Sequence, residues 1–203
     1  MSTTNEKQTL PAGARLFLLA GHDNTHDPGA VANGVQEAQL ALEQRQLVHE
    51  ALLACSPVVL LEPPELNLTD TINWVKERVT PQDVVLDLHF NAASPAARGS
   101  ECFHRENGPP LEREIAAGLS AAVAETLATH DRGAKPESWS QHPRLGMLHT
   151  GAGTSLLMET CFLTNSAELE TYLARKKPVA KAIADTLLHY FQQPGDSPAH
   201  PPA

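Results

Sequence analysis

The chain has 203 residues, with 15 Lys and Arg against 24 Asp and Glu and a formal net charge of -9. That length fits one α/β domain with a substantial core and leaves no room for a second sizeable module, and the lack of a basic stripe argues against nucleic acid or an anionic membrane as partner. No apolar run reaches the roughly 18 residues of a membrane span, and Cys55, Cys102 and Cys161 are isolated from one another, reading as buried thiols of a protein made in a reducing compartment.

Residues 1–12 read as a flexible polar leader without the cationic start and apolar stretch of a secretory signal, so synthesis in the cytoplasm is expected. Residues 14–20 predict a buried strand ending at Gly21 and His22, and the turn formers of 23–30 predict a loop. Asn33 and Gly34 precede an amphipathic helix over 36–55, with Leu40, Leu47, Val48, Ala51 and Leu52 at helical spacing. Glu37 falls in its first turn, where the helix dipole alone explains an acidic residue. A strand over 58–61 and a helix over 69–79 follow; Trp74 on that helix reads as core rather than as a platform for a sugar.

The stretch 84–93 opens as an apolar run suited to a strand buried on both faces and turns polar where such sheets present ligand sites. Side-chain alternation puts Asp87, His89 and Asn91 on one face, and Leu86, Leu88 and Phe90 on the other. A strand over 99–104 and a helix over 111–128 come next. Residues 130–144 are polar and contain Gly133, Pro136 and Pro143, predicting a long loop that walls a binding site. Residues 145–149 read as a short strand and 154–163 as a strongly apolar one carrying Glu159 in its middle. A glutamate among Leu156, Leu157, Met158, Cys161 and Phe162 needs a partner: an arginine, a metal or a substrate. Helices over 168–175 and 178–191 complete a domain over 13–193, and residues from 194 read as a disordered tail. The whole is an α/β domain with a mixed, mostly parallel sheet of about six strands flanked by helices on both faces.

His22 and His89 at strand ends, Glu37 at a helix start and Glu159 on a strand stand out. Two imidazoles and a carboxylate form a known catalytic zinc set, and a further carboxylate can serve as general base. Gly21-His22, Asp27-Pro28-Gly29-Ala30, Gly34 and Glu37, then His89-x-Asn91-Ala92, Gly99, Arg132-Gly133 and Met158-Glu159-x-x-Phe162-Leu163-x-Asn165 resemble the successive motifs of zinc-dependent N-acetylmuramoyl-L-alanine amidases. That family is typified by bacterial cell-separation amidases and related phage and sporulation lysins, and the resemblance spans residues 14–192.

The resemblance implies a phosphorylase/hydrolase-like fold, one Zn2+ held by His22, Glu37 and His89, and Glu159 as catalytic glutamate. It implies cleavage of the amide between N-acetylmuramic acid and L-alanine in peptidoglycan; the lack of a visible signal suits a phage-type endolysin released by membrane lesions, an effector delivered by a secretion machine or a truncated catalytic domain of a longer exported amidase, acting on the wall after release or delivery, with a protein activator or delivery partner as an option. Asp87, Asn91 and Arg132 are candidates for supporting the ligands or touching substrate. Departures occur where the usual Gly-His-Gly-Gly is Gly21-His22-Asp23-Asn24 and where a common Thr-Arg pair is Glu62-Pro63. The alternatives are a zinc carboxypeptidase-like hydrolase, which needs an arginine for a free carboxylate, and a metal-free peptidoglycan-binding relative, which needs a lost ligand.

Overall fold

The computed structural model describes residues 9–23, 25–53, 57–142 and 144–191. In chain order these form β1 (Leu16–Ala20), β2 (Val31–Ala32), β3 (Val35–Gln36), α1 (Glu37–Leu52), β4 (Val59–Leu61), α2 (Leu68–Lys76), β5 (Val84–Asn91), β6 (Ser100–His104), α3 (Pro110–Leu127), β7 (Asp131–Pro136), β8 (Thr154–Phe162) and α4 (Ser166–Tyr190). Six strands make one sheet in the order β4-β1-β5-β8-β6-β7, and β2 and β3 form a separate small hairpin. Strands β4, β1, β5 and β8 run parallel, β6 is antiparallel to β8, and β7 is parallel to β6.

Alternation sorts the strand residues between two unequal faces. Leu16, Leu18, Leu86, Leu88, Phe90, Leu156 and Met158 join the apolar positions of α1, α3 and α4 in the main core. On the opposite face Phe17, Leu19 and Val85 pack with Val75 of α2 and with Met147 and Ala152. Phe103, Leu148 and Leu157 pack together further along that face. Asp87, His89 and Asn91 project on it, as alternation along β5 requires, with Asp87 buried and His89 and Asn91 lining an open cleft. Trp74 is partly buried, edge-on to Phe17 at 5.8 Å between ring centroids, and packs against the cluster around that ring.

The fold departs from expectation in the C-terminal half and at the leader. Residues 131–136, expected as loop, add β7 to the sheet edge, and 137–139 form a 3-10 turn. Pairing beside β6 supplies the hydrogen bonds that a polar, Gly- and Pro-containing segment gives no local sign of. Residues 146–149, expected as a strand, are a 3-10 turn that packs Met147 and Leu148 inward. The helices expected over 168–175 and 178–191 are one continuous element kinked at Arg175, three residues before Pro178. Leu10, assigned to the flexible leader, is 2% exposed and its N–H donates to the carbonyl of Tyr190 at 2.9 Å, so the folded unit begins before residue 13. Cys102 and Cys161 are buried free thiols. Residues 1–8 of the leader, Cys55 and the tail from 194 lie outside the described residues.

Candidate metal centre and active site

His22 follows β1 with φ 66°, a left-handed conformation that a non-glycine residue adopts only where its surroundings impose it. Those surroundings are a tight loop in which Asp23 Oδ1 accepts from the N–H groups of Thr25 at 2.8 Å and His26 at 2.6 Å. Below it, Glu62 at the end of β4 accepts from the Ala20 N–H at 3.0 Å and pairs with the fully buried Arg45. The departure from the family pattern at Glu62 is thus an internal buttress for the strand end that carries His22.

Glu37 is the first residue of α1, yet its carboxylate does not cap that helix. It accepts instead from the N–H groups of Ala30 at 2.9 Å and Phe90 at 3.0 Å, and it faces His22 Nε2 at 3.2 Å and His89 Nδ1 at 3.0 Å. Burial acts to raise its pKa, but the contacts with His22 and His89 win and hold it well below the usual carboxylate range. A helix-dipole role alone would leave the side chain among its own N-terminal N–H groups. The hairpin of β2 and β3, turned by Asn33 and Gly34 with φ 48° and 80°, brings α1 into position.

The outer nitrogen of each imidazole meets a second carboxylate. His22 Nδ1 lies 2.9 Å from Asp27 Oδ2, and His89 Nε2 lies 3.1 Å from Asp87 Oδ2. An ionised carboxylate only accepts, so the outer nitrogens donate and the inner ones point at Glu37. One donor atom each from His22, Glu37 and His89 lie within 4.8 Å of one another. A tetrahedral zinc about 2.0–2.1 Å from its ligands separates them by about 3.3 Å, close to the 3.2 Å and 3.0 Å found between Glu37 and the two histidines. The set is of the right chemistry, count and spacing for such an ion. Asp27 entered the sequence reading as a turn former and as part of the Asp27-Pro28-Gly29-Ala30 motif, with no role of its own; its position five residues after His22 was the available signal.

Space at this point is taken up by the His22 and His89 rings themselves. A Cβ on Gly21 would stand 2.2 Å from the His89 ring, and one on Gly29 would stand 2.6 Å from His22 and 2.7 Å from Glu37. Gly21→Ala is therefore expected to displace His89 and weaken metal binding by about 10- to 100-fold with every ligand still present, as measured by metal content after dialysis against graded chelator.

Glu159 is the direct cross-strand neighbour of His89 and, on its other side, of Glu101. Its Oε2 is closed off from solvent and has no hydrogen-bond partner among the described residues. Burial is the main cause that pushes its pKa up to about 8; His89 opposes this, and Glu37 and Glu101 add to it. Four of the seven residues singled out in the sequence thus meet at one point, and Asp87 joins them through His89. Asn91 and Arg132 do not reach the ligands. Asn91 Nδ2 donates to Glu101 Oε1 at 2.6 Å, and Arg132 Nε donates to Glu101 Oε2 at 2.8 Å from β7. His26 is exposed, His104 Nδ1 donates to the Arg105 carbonyl and His149 pairs with Glu137, all outside the cluster.

A cleft of about 490 Å³ runs from His22 and His89 over Glu159 and Leu157 to Arg132, Lys135 and Trp139. Residues 139–142 wall its far end, so the site-lining role expected of 130–144 holds although residues 131–136 are strand.

Comparison with known proteins points the same way. The family model for N-acetylmuramoyl-L-alanine amidase matches residues 16–189. A search of curated proteins finds no match. Among solved structures, a Neisseria meningitidis protein assigned as an N-acetylmuramoyl-L-alanine amidase is 28% identical with a TM-score of 0.69, covering 87% of this chain and 95% of its own. The N-acetylmuramoyl-L-alanine amidase of Clostridium difficile 630 is 19% identical with a TM-score of 0.76, covering 88% and 97%. The catalytic domain of the CD27L endolysin targeting Clostridium difficile is 20% identical with a TM-score of 0.68, covering 89% and 99%. The match over 16–189 includes all four residues gathered at the cluster, and the chain belongs to the N-acetylmuramoyl-L-alanine amidase family.

Proposed function

We propose that this amidase is a zinc-dependent peptidoglycan hydrolase that cuts the amide between the lactyl group of N-acetylmuramic acid and L-alanine of the stem peptide. The observation that carries this reading is the convergence of His22, Glu37 and His89 beside the partnerless Oε2 of Glu159 in one open cleft. Zinc held by the three residues would supply positive charge that polarises a carbonyl and acidifies water. Glu37, pinned by two backbone N–H groups, and the imidazoles, oriented by Asp27 and Asp87, fix the ligand geometry in advance. Glu159, aligned in register with His89, takes a proton from the attacking water and returns it to the departing amine. Its high proton affinity suits the second task, and the positive charge of an ion held by His22, Glu37 and His89 would lower that affinity in favour of the first.

Digestion of purified peptidoglycan with and without chelator tests the reading. Mass spectrometry is expected to find intact stem peptides with free L-alanine amines, abolished by chelator and by Glu159→Ala. Release of a terminal D-alanine alone would replace this reading with a carboxypeptidase. Asp87→Ala is expected to lower zinc affinity and turnover by about 10- to 100-fold, measured by competition with a fluorescent chelator. Unchanged affinity would make Asp87 a merely satisfied buried acid.

A further inference from the structure

The proposed chemistry leaves the far end of the cleft unused. Strand register carries a row of facing residues across the sheet: His89 on β5 opposite Glu159 on β8, Glu159 opposite Glu101 on β6, and Glu101 opposite Gly133 on β7. A parallel row runs through Asp87, Leu157, Phe103 and Lys135. Gly133 has no side chain and nothing within 4 Å of where its Cβ would be, so the floor opens there. Around that opening Arg132 and Lys135 both pair with the single buried carboxylate of Glu101, which Asn91 also holds.

Two cations share one carboxylate, and both line the cleft with partly exposed side chains. Trp139, 72% exposed, stands beside them on the 3-10 turn 137–139. That turn is fixed, because the Glu137 carboxylate accepts from the Leu145 N–H at 3.0 Å and contacts His149 Nε2 at 2.8 Å. An indole held out into solvent on a rigid support offers a flat apolar wall. The pair of cations lacks one negative charge, and arginine and lysine held in place by a buried counter-ion form a ready receptor for a carboxylate.

We infer that Arg132, Lys135 and Trp139 form a subsite for a carboxylate on the stem-peptide side of the substrate. This rests on the amidase reading for the direction of the substrate. In the glycan, the lactyl carboxyl is engaged in the bond that is cut, so the free carboxylates near that bond belong to the peptide. The cation heads meet at Glu101, which faces Glu159 across one strand spacing, about 5 Å, a reach of about one to two residues of extended chain. That reach fits an acidic group on the first residues of the stem peptide.

The test uses synthetic stem tripeptides and the corresponding muropeptides, with carboxylates either free or converted to carboxamides. Calorimetry with the tripeptides alone is expected to show about tenfold tighter binding of the free acid. Lys135→Gln and Arg132→Gln are each expected to remove that preference, Lys135→Arg to retain it, and Trp139→Ala to weaken both peptides several-fold alike. With muropeptides the same preference is expected in KM. Equal binding of acid and amide by the wild type, or a preference that survives both glutamine variants at unchanged Tm, overturns the subsite. The peptide titration stands whether or not any amide is cut. A muropeptide left intact beside a positive titration refutes the amidase reading alone.

Discussion

Glu159→Gln is expected to reduce turnover of a muropeptide by about 10²- to 10⁴-fold while the folded state keeps its stability or gains some. The two halves of that result come from the same environment. Glu159 sits between His89 and Glu101 with Oε2 closed off and unpartnered, and burial above all raises its pKa to about 8. Ionising a carboxyl there works against folding, so a neutral side chain of the same shape removes a cost. The amide cannot accept the water proton or return it to the amine, so the loss falls on kcat with KM little changed. Urea titration and zinc content measured beside turnover separate the outcomes. A variant that loses its zinc would place Glu159 among the ligands, and one that keeps full turnover would remove it from the reaction.

Much of the centre of this site was legible in the sequence because several of its members break a local rule. A histidine and an asparagine close a buried apolar strand, and a glutamate interrupts another one. Glu37 broke no rule, since acidic residues are ordinary in a first helical turn, and only its hydrogen bonds to Ala30 and Phe90 show that it serves something else. The strand that forms the far wall was hidden for a different reason, although 130–144 was expected to line a site. β7 is an edge strand of Asp, Arg, Gly, Ala, Lys and Pro, and its strand character comes from pairing with β6 rather than from hydrophobic alternation. Glu101 escaped notice because a lone glutamate in a short strand has no meaning until cross-strand register sets it beside Glu159 and under two cations. Tertiary register, which no local pattern encodes, is what turned separate strand ends into one cleft.

Removing the metal is expected to reverse the sign of the protein's pH dependence between about pH 6 and 8. In the metal-free protein, burial acts to lower the pKa of His89, but Asp87, Glu37 and Glu159 overcome it and hold the imidazole well above its ordinary value. His22 is raised as well, by Glu37 and Asp27 against its burial. A histidine with a raised folded pKa stabilises fully below its unfolded value of about 6.5 and loses that contribution as pH climbs through the folded value. Glu159, up to about 8, acts in the same direction from about pH 4.5 upward, because its ionisation in the folded state is resisted. The depressed Glu37 works the other way, but its contribution is complete above its unfolded pKa and is lost only in acid. Above pH 6 the chelated protein therefore gathers unbalanced carboxylates around His22 and His89, and its Tm should fall. Zinc requires both inner nitrogens unprotonated, so its binding releases up to about two protons and tightens by up to about 100-fold per pH unit. The Tm of the loaded protein should accordingly hold or rise over the same interval, and the gap between the two curves should widen. Calorimetric titration of zinc in buffers of different ionisation enthalpy counts the protons directly. Parallel Tm curves with no proton release would show that the ion binds somewhere other than His22, Glu37 and His89.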